Sequence, residues 1–525
     1  MMNTWIKQSV FGRYWRQVQA WSVDGADSRS REMPGRWLAQ AVDKDAERTA
    51  LHLPDFSLSY VELANQVELF STRLRCISDT PVIGICAKNP LLTLLCLFAA
   101  ARLGRALLPL EAGMPEEQRN SMLSQSGCRL VVSDMALSLP HGVETVAGED
   151  LLNLTEGMRD QPVNLTDASC LDPQRILLIV PTSGTCSSPK GVMLSAANLA
   201  ASTIQVNAKL DLQADDCWIN CLPLNHIAGL SIPYRCAEAG AAMVMHQGFN
   251  EDQVWRDLEE HRVSHISLVP AMLGRLLDAA RGRMAPSSLR VALIGAGPLD
   301  PSLAKRAHAA GWPLMICYGM TETGSMCALD RTAQAGLKPG RVGEPMPGFQ
   351  LMLSDDSQGE IWVAGEAVMA GYVNPQLKPG DGLQEGRFKT GDQGYWDNQG
   401  QLCVTGRADD LMNSGGLRLH PSEVEHLLEA CPGLVSAAVS SRPDPLWGDR
   451  LVVVYEGFVS ETWLEAWVRL YLPSGLRPRE FLKVDALPRN RMGKLDRRAL
   501  KQHIQSVHCV RSRAESWVSH PQGSA

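Results

Sequence analysis

From about Ser59 onward the apolar positions of the chain switch between two periods. Tyr60, Leu63, Val67 and Phe70 recur at three- and four-residue spacing, which predicts one face of a helix. Short unbroken apolar runs predict buried strands at Pro81-Val-Ile-Gly-Ile-Cys-Ala87, Ala106-Leu-Leu-Pro-Leu110, Arg129-Leu-Val-Val-Ser133, Ile176-Leu-Leu-Ile-Val180, Met243-Val-Met245, His265-Ile-Ser-Leu-Val269 and Val291-Ala-Leu-Ile294. Leu91 to Leu103 reads as a buried helix, and helical patterns separate most of the strands. Alternation of this kind predicts an α/β fold of parallel sheets covered by helices.

After about Val342 the texture changes to short strands with glycine turns: Phe349-Gln-Leu-Met-Leu353, Glu360-Ile-Trp-Val-Ala364, Tyr395-Trp-Asp397 and Gln401-Leu-Cys-Val404. This predicts an antiparallel β subdomain. From about Ala408 a smaller α/β unit runs to about Leu500, and the polar residues after it are expected to fray. The expected division is an N-terminal extension over 1–30, a large domain over 31–406, a small C-terminal domain over 407–503 and a polar tail over 504–525.

Composition narrows the function classes. The chain has 525 residues, 50 Lys+Arg against 57 Asp+Glu and a net charge of −7, which gives no basic field for binding nucleic acid. Its 14 cysteines are too dilute for a disulfide scaffold and none sits at CxxC spacing, so reduced thiols in a cytoplasmic protein are expected. No stretch is long and apolar enough to span a bilayer, and the first residues lack the apolar centre of a signal peptide. The extension carries Trp5, Phe11, Tyr14, Trp15 and Trp21 with Lys7, Arg13 and Arg16. A docking helix is one reading of it; a helix packed on the body is favoured by the usual burial of aromatics.

The sharpest chemical signal is Pro181-Thr-Ser-Gly-Thr-Cys-Ser-Ser-Pro-Lys-Gly191, read as a loop between the run ending at Val180 and a helix beginning near Ala196. Backbone N–H groups, hydroxyls and the Lys190 ammonium can wrap phosphate oxygens, although GxxxxGK[ST] is absent. Taken alone, such a stretch is as consistent with a plain surface loop. The full string resembles the TSGTTGxPKG signature of the adenylate-forming superfamily, which holds acyl-CoA synthetases, adenylation domains and luciferases. That resemblance recurs in order from about Ser59 to Leu500. Cys186 and Ser187 depart from the pattern, and Ser187 removes a freely left-handed position.

The other stations follow the same family. Pro223-Leu-Asn-His-Ile-Ala-Gly229 resembles PLFHxxG, Ile294-Gly-Ala-Gly-Pro-Leu299 the adenine-lining turn, Tyr318-Gly-Met-Thr-Glu-Thr323 YGxTE, and Lys389-Thr-Gly-Asp392 TGD. The segment from Gly406 to Glu425 resembles the hinge, and Leu487 to Arg497 resembles PxxxxGKxxR.

The resemblance implies a role for each station. Thr182, Ser183, Gly184, Thr185, Lys190 and Thr321 would face the phosphates, and Gly295, Ala296, Gly297, Tyr318 and Gly319 the adenine. Asp392 would hold the ribose and Arg407 the ribose or phosphate. Glu322 and Thr185 would hold Mg²⁺, a hard cation that wants oxygen ligands. His226 would gate the acyl pocket and Lys494 would be the catalytic lysine, on a small domain that rotates about Asp409. Gly415 and Gly416 would let a pantetheine arm pass.

The implied activity is ATP- and Mg²⁺-dependent conversion of a carboxylic acid to an acyl-AMP, followed by transfer to the thiol of coenzyme A. Leu222 to Ser231, His265 to Leu277 and Tyr318 to Thr323 are most similar to o-succinylbenzoate–CoA ligases, which points to a short or aryl acid. A second acidic group on the substrate would call for a buried Arg or Lys. An enzyme loading an acyl carrier protein is the alternative, and a degenerate nucleotide-binding non-enzyme a remoter one. A homodimer is left open as the assembly state.

Overall fold

A computed structural model describes residues 33–156, 171–182, 189–331, 338–355, 357–374, 376–444, 446–489 and 495–518. These fall into two compact units, each discontinuous in sequence. The first draws on Met1–Phe249, Met320–Ser325 and Gly365–Gly386, the second on Asn250–Gly319, Met326–Ala364 and Arg387–Ala525.

In the first unit a seven-stranded sheet runs in the order Gly371–Tyr372, Lys190–Ser195, Ile176–Thr182, Ala106–Pro109, Val82–Cys86, Leu130–Ser133, Glu144–Ala147. The five strands from Ile176–Thr182 to Glu144–Ala147 are parallel. Val82–Cys86, Ala106–Pro109 and Leu130–Ser133 are buried at every residue, which is why they read as unbroken apolar runs. Tyr60–Ile77 forms the expected amphipathic helix, with Tyr60, Leu63, Val67 and Phe70 buried. Ser59 and Glu62 close a capping box at its start. The buried helix is Pro90–Arg102, begun by Asn89 and a proline at its first position. A second group of strands pairs Cys217–Asn220, Ala242–Met245 and Thr49–His52 in parallel, with Ser57–Ser59 antiparallel at the edge.

The phosphate loop differs from its sequence reading. Gly191 to Ser195 is not the approach to a helix but the return arm of a β-hairpin, paired antiparallel with Ile176–Thr182. The helix starts only at Ala196, where Ser195 and Asn198 form its capping box. Val192, Met193 and Leu194 are fully buried, and that apolar run extends the sheet before any helix can begin. A helix N-terminus therefore contributes nothing to this loop.

In the second unit His265–Leu268, Val291–Ile294 and Leu314–Met320 are parallel. Arg341–Pro345, Leu402–Arg407, Arg387–Trp396 and Gln358–Gly365 then form the expected antiparallel region. Beyond Arg407 a single 3₁₀ turn, Ala408–Asp410, leads to a separate five-stranded sheet of Met412–Ser414, Leu417–Leu419, Leu434–Asp444, Gly448–Gly457 and Glu480–Lys483. Side chains of its central strand alternate. Leu451, Val453 and Tyr455 face a core with helices Pro421–Leu428 and Glu461–Tyr471, whereas Val452 and Val454 face Leu487, Leu500 and Ile504. The tail expected from 504 is helix as far as Val518, because Leu500, Ile504 and Val507 continue one apolar stripe onto the sheet.

No helix among the described residues is long and apolar enough to cross a membrane. The described cysteines are free, and all but Cys76 and Cys317 are buried.

Candidate active site

In the first unit the hairpin ends bring Thr182 and Lys190 opposite each other, and the Thr182 hydroxyl donates to the Lys190 carbonyl at 3.1 Å. Ser183, Gly184 and Thr185, with Cys186 and Ser187, lie between them and outside the described residues. The Lys190 ammonium lies 4.9 Å from the ring centre of Tyr372, whose hydroxyl donates to Glu322 Oε1 at 3.0 Å. Glu322 stands in the one-turn 3₁₀ helix Thr321–Thr323. The turn is pinned from beneath by Thr323, fully buried, whose hydroxyl lies 2.8 Å from the Ser325 carbonyl and accepts from the Met320 N–H at 3.0 Å. Thr321 and Glu322 are left half-buried.

His226 is the N-cap of helix Ile227–Ala239, in extended backbone and half-buried. Gly229 explains the HxxG spacing sterically, since a Cβ there would lie 2.4 Å from the Pro223 carbonyl oxygen. Two turns further on, Arg235 is buried. It donates to the Ser325 hydroxyl at 2.6 Å, and its guanidinium lies 5.3 Å from the Trp218 ring centre. Charge of this kind is rarely buried without a purpose.

In the second unit Tyr318, Asp392 and Arg407 converge. Asp392 and Arg407 are directly opposite on antiparallel strands. Arg407 Nη1 donates to Asp392 Oδ1 at 3.0 Å and to the Thr390 carbonyl at 2.8 Å, and the Tyr318 hydroxyl donates to Asp392 Oδ2 at 2.7 Å. The Thr390 hydroxyl, 3.0 Å from the Asp392 N–H, fixes the carboxylate's backbone. Burial, and secondly the Asp392 charge, push the Tyr318 hydroxyl far above its ordinary range, so it stays neutral and donates. Gly391 stands in the left-handed region at φ 73°, and a Cβ on it would come within 2.8 Å of Arg407 Nη2. The glycine of Thr-Gly-Asp is thus required inside a strand, where a turn might have been read.

Beside this cluster Gly295, Ala296 and Gly297 follow Val291–Ile294, and Ala296 and Gly297 are exposed at the carboxyl end of that parallel strand. Open α/β sheets bind ligands at that end. A Cβ at Gly295 would lie 2.8 Å from Cys317 Sγ, and Ala296 holds φ 69° without being glycine. Strain of this kind, worth about 1 kcal/mol or more, persists where function over-determines the backbone. Gly319 is exposed in the adjoining strand.

Asp409 is exposed on the 3₁₀ turn. Its neighbour Asp410 lies 3.5 Å from Arg497 Nε, and Arg497 grips Glu425 with two bonds of 3.1 and 2.9 Å. Gly415 and Gly416, both at positive φ, stand in the small sheet rather than with Tyr318 and Asp392. Lys494 lies outside the described residues.

The residues that sequence reasoning missed are Tyr372, Thr390, Cys317 and Arg235. None lies at a spacing that signals chemistry. Thr390 and Cys317 at least adjoin motifs that were singled out.

The donor chemistry near Glu322 suits Mg²⁺. A carboxylate has about four lone-pair directions, so it can accept one hydrogen bond and still ligate a hard cation.

Comparison with known proteins agrees with this geometry. Residues 38–373 match the model of the AMP-binding enzyme family, and residues 423–494 that of the AMP-binding enzyme C-terminal domain. The 2-succinylbenzoate–CoA ligase of Bacillus licheniformis is 31% identical over 476 residues, covering 88% of this chain and 98% of that protein. The indoleacetate–CoA ligase of Aromatoleum aromaticum is 31% identical over 507 residues, covering 89% and 97%. The solved structure of Bacillus subtilis o-succinylbenzoate CoA synthetase with its acyl-adenylate intermediate superposes with a TM-score of 0.79 at 29% identity, over 89% of this chain and 98% of that one. On matches that span both its large and its small domain, the chain belongs to the AMP-binding enzyme family.

Proposed function

We propose that this protein is an AMP-forming acid–CoA ligase. The observation that carries the reading is Asp392, buried and aimed by Tyr318 and Arg407 beside the strained, exposed turn Gly295–Gly297. A carboxylate held by two donors can still accept the two hydroxyls of a ribose, and a glycine-flanked turn admits a flat base.

The chemistry has two halves. In the first, a carboxylate oxygen of the acid attacks the α-phosphorus of ATP and pyrophosphate leaves. Lys190 and the hairpin hydroxyls hold the phosphates, and Lys494 stabilises charge that develops in transfer. Glu322, with Thr185, would hold Mg²⁺, which when bound neutralises charge on the phosphates. In the second half the part of the chain after Arg407 rotates about Asp409. A CoA thiolate, admitted past Gly415 and Gly416, attacks the acyl carbonyl and AMP leaves. Solved relatives hold ATP with magnesium and an acyl-adenylate, which supports the same order here.

For the acid we infer an aryl substrate with a second carboxylate. The relative from Bacillus licheniformis is named for 2-succinylbenzoate, and Arg235 is the buried cation that a dicarboxylate calls for. ATP–pyrophosphate exchange should be strongest with 2-succinylbenzoate in a panel that includes benzoate and indoleacetate. Product should form with CoA; transfer to a carrier protein instead would favour the adenylation alternative. Arg235→Met should cut kcat/KM for the dicarboxylate by roughly 10- to 100-fold, the worth of a charge-assisted bond, with less effect on a monocarboxylic acid. Equal losses on both would remove Arg235 from substrate selection.

A further inference from the structure

Tyr372 occupies a place that no motif pointed to. The edge strand Gly371–Tyr372 is stitched to the return arm of the phosphate hairpin, with Gly371 opposite Met193 and Tyr372 opposite Val192. The Ala370 N–H donates to the Met193 carbonyl at 2.9 Å and the Val373 N–H to the Gly191 carbonyl at 2.7 Å. Just upstream, the Met369 N–H donates to the Glu322 carbonyl at 2.8 Å. One short segment therefore ties the hairpin that ends in Lys190 to the turn that carries Glu322.

The side chain repeats that connection with different chemistry at each end. Its hydroxyl donates to Glu322 Oε1 at 3.0 Å, and its ring face receives the Lys190 ammonium at 4.9 Å. The ring is seated by a backbone position made for it. Gly382, at φ 83°, would place a Cβ within 2.4 Å of Tyr372 Cδ2, so no side chain could share that space. Tyrosine suits the position because a phenol can orient a carboxylate while its π face attracts a cation. A carboxylate and an ammonium are thus held near each other through a neutral group. Direct pairing would have to be broken before a cation and phosphates could bind.

We propose that Tyr372 is a positioning residue of the phosphate half-site, its hydroxyl setting Glu322 for the divalent cation and its ring setting Lys190 for the triphosphate. The proposal rests on the ligase reading above, in which Glu322 and Lys190 take those roles. Preorganisation of this kind lowers the cost of ordering groups when the ligand arrives.

The test is ATP binding to the intact chain by titration calorimetry, in excess Mg²⁺ and in EDTA. Tyr372→Phe keeps the ring and loses the hydroxyl. It should leave Mg²⁺-free affinity unchanged and weaken Mg²⁺-ATP binding about tenfold, the effect of one hydrogen bond to a charged group. Tyr372→Leu should in addition weaken Mg²⁺-free binding about threefold, as a cation–π contact is lost. In a Glu322→Gln background, Tyr372→Phe should add no further loss, and this cycle separates positioning from a general effect on folding. The proposal is overturned if Tyr372→Phe matches the wild type in both buffers, if it weakens both equally, or if its effect persists in Glu322→Gln. A wild-type chain that fails to bind ATP in either buffer overturns the ligase reading and this proposal with it.

Discussion

Replacing Asp392 with asparagine tests the ribose assignment with little disturbance of the fold. In the structure Oδ1 accepts from Arg407 at 3.0 Å and Oδ2 from Tyr318 at 2.7 Å. An asparagine can keep its oxygen toward Arg407 and turn its amide toward Tyr318, whose hydroxyl then rotates to accept. The internal network survives, so the melting temperature should move little. Nucleotide is different, because a ribose diol offers two donors and the amide now has an acceptor on one side only. The loss is one hydrogen bond to a charged acceptor, about 1.5–3 kcal/mol, or roughly 10- to 150-fold in Kd. The measurement is the Kd of ATP and of 2′,3′-dideoxy-ATP for wild type and Asp392→Asn. The penalty should appear with ATP and vanish with the dideoxy nucleotide, which has no hydroxyls to lose. An equal penalty with both nucleotides refutes the assignment and makes Asp392 an organiser of Arg407 and Tyr318 only.

Two further outcomes are expected. Lys494→Ala should lower ATP–pyrophosphate exchange by about 10²–10³-fold, the range for losing one preorganised donor, while a supplied acyl-adenylate still transfers to CoA at close to the wild-type rate; loss at both steps would contradict a role confined to adenylation. His420 is buried beneath Gly406, where a Cβ would lie 2.9 Å from its Nδ1, and burial depresses its pKa below the ordinary value of 6.5. A depressed folded-state value means that the stability from keeping this histidine neutral is complete above pH 6.5 and is lost as pH falls through the folded value. The urea midpoint of the wild type should therefore fall more than that of His420→Gln between pH 7 and pH 5, and parallel curves would exclude His420 as the cause.

The linear text determined a great deal by itself. Strands buried on both faces must be apolar throughout, so Val82–Cys86 and Val291–Ile294 were legible without partners. The Tyr60–Ile77 helix announced itself through its period and its Ser59–Glu62 cap, both of which are local. Motifs such as Thr390-Gly-Asp392 and Tyr318 to Thr323 were legible because backbone turns and the groups beside them lie close in sequence.

What folding alone decided is which distant residues meet. Lys190 to Ser195 reads locally as an approach to a helix, and only pairing with Ile176–Thr182 makes it a hairpin arm. The carboxyl-terminal stripe of Leu500 and Ile504 is too sparse to declare a helix until the small sheet covers it. Arg235 and Ser325 are 90 residues apart, and Tyr372 and Glu322 are 50 apart. Their hydrogen bonds depend on two strands and a turn being docked in one register. Side-chain chemistry is written in the sequence, but the distance between two side chains is set by tertiary packing, and at a binding site that distance determines what the chemistry can do.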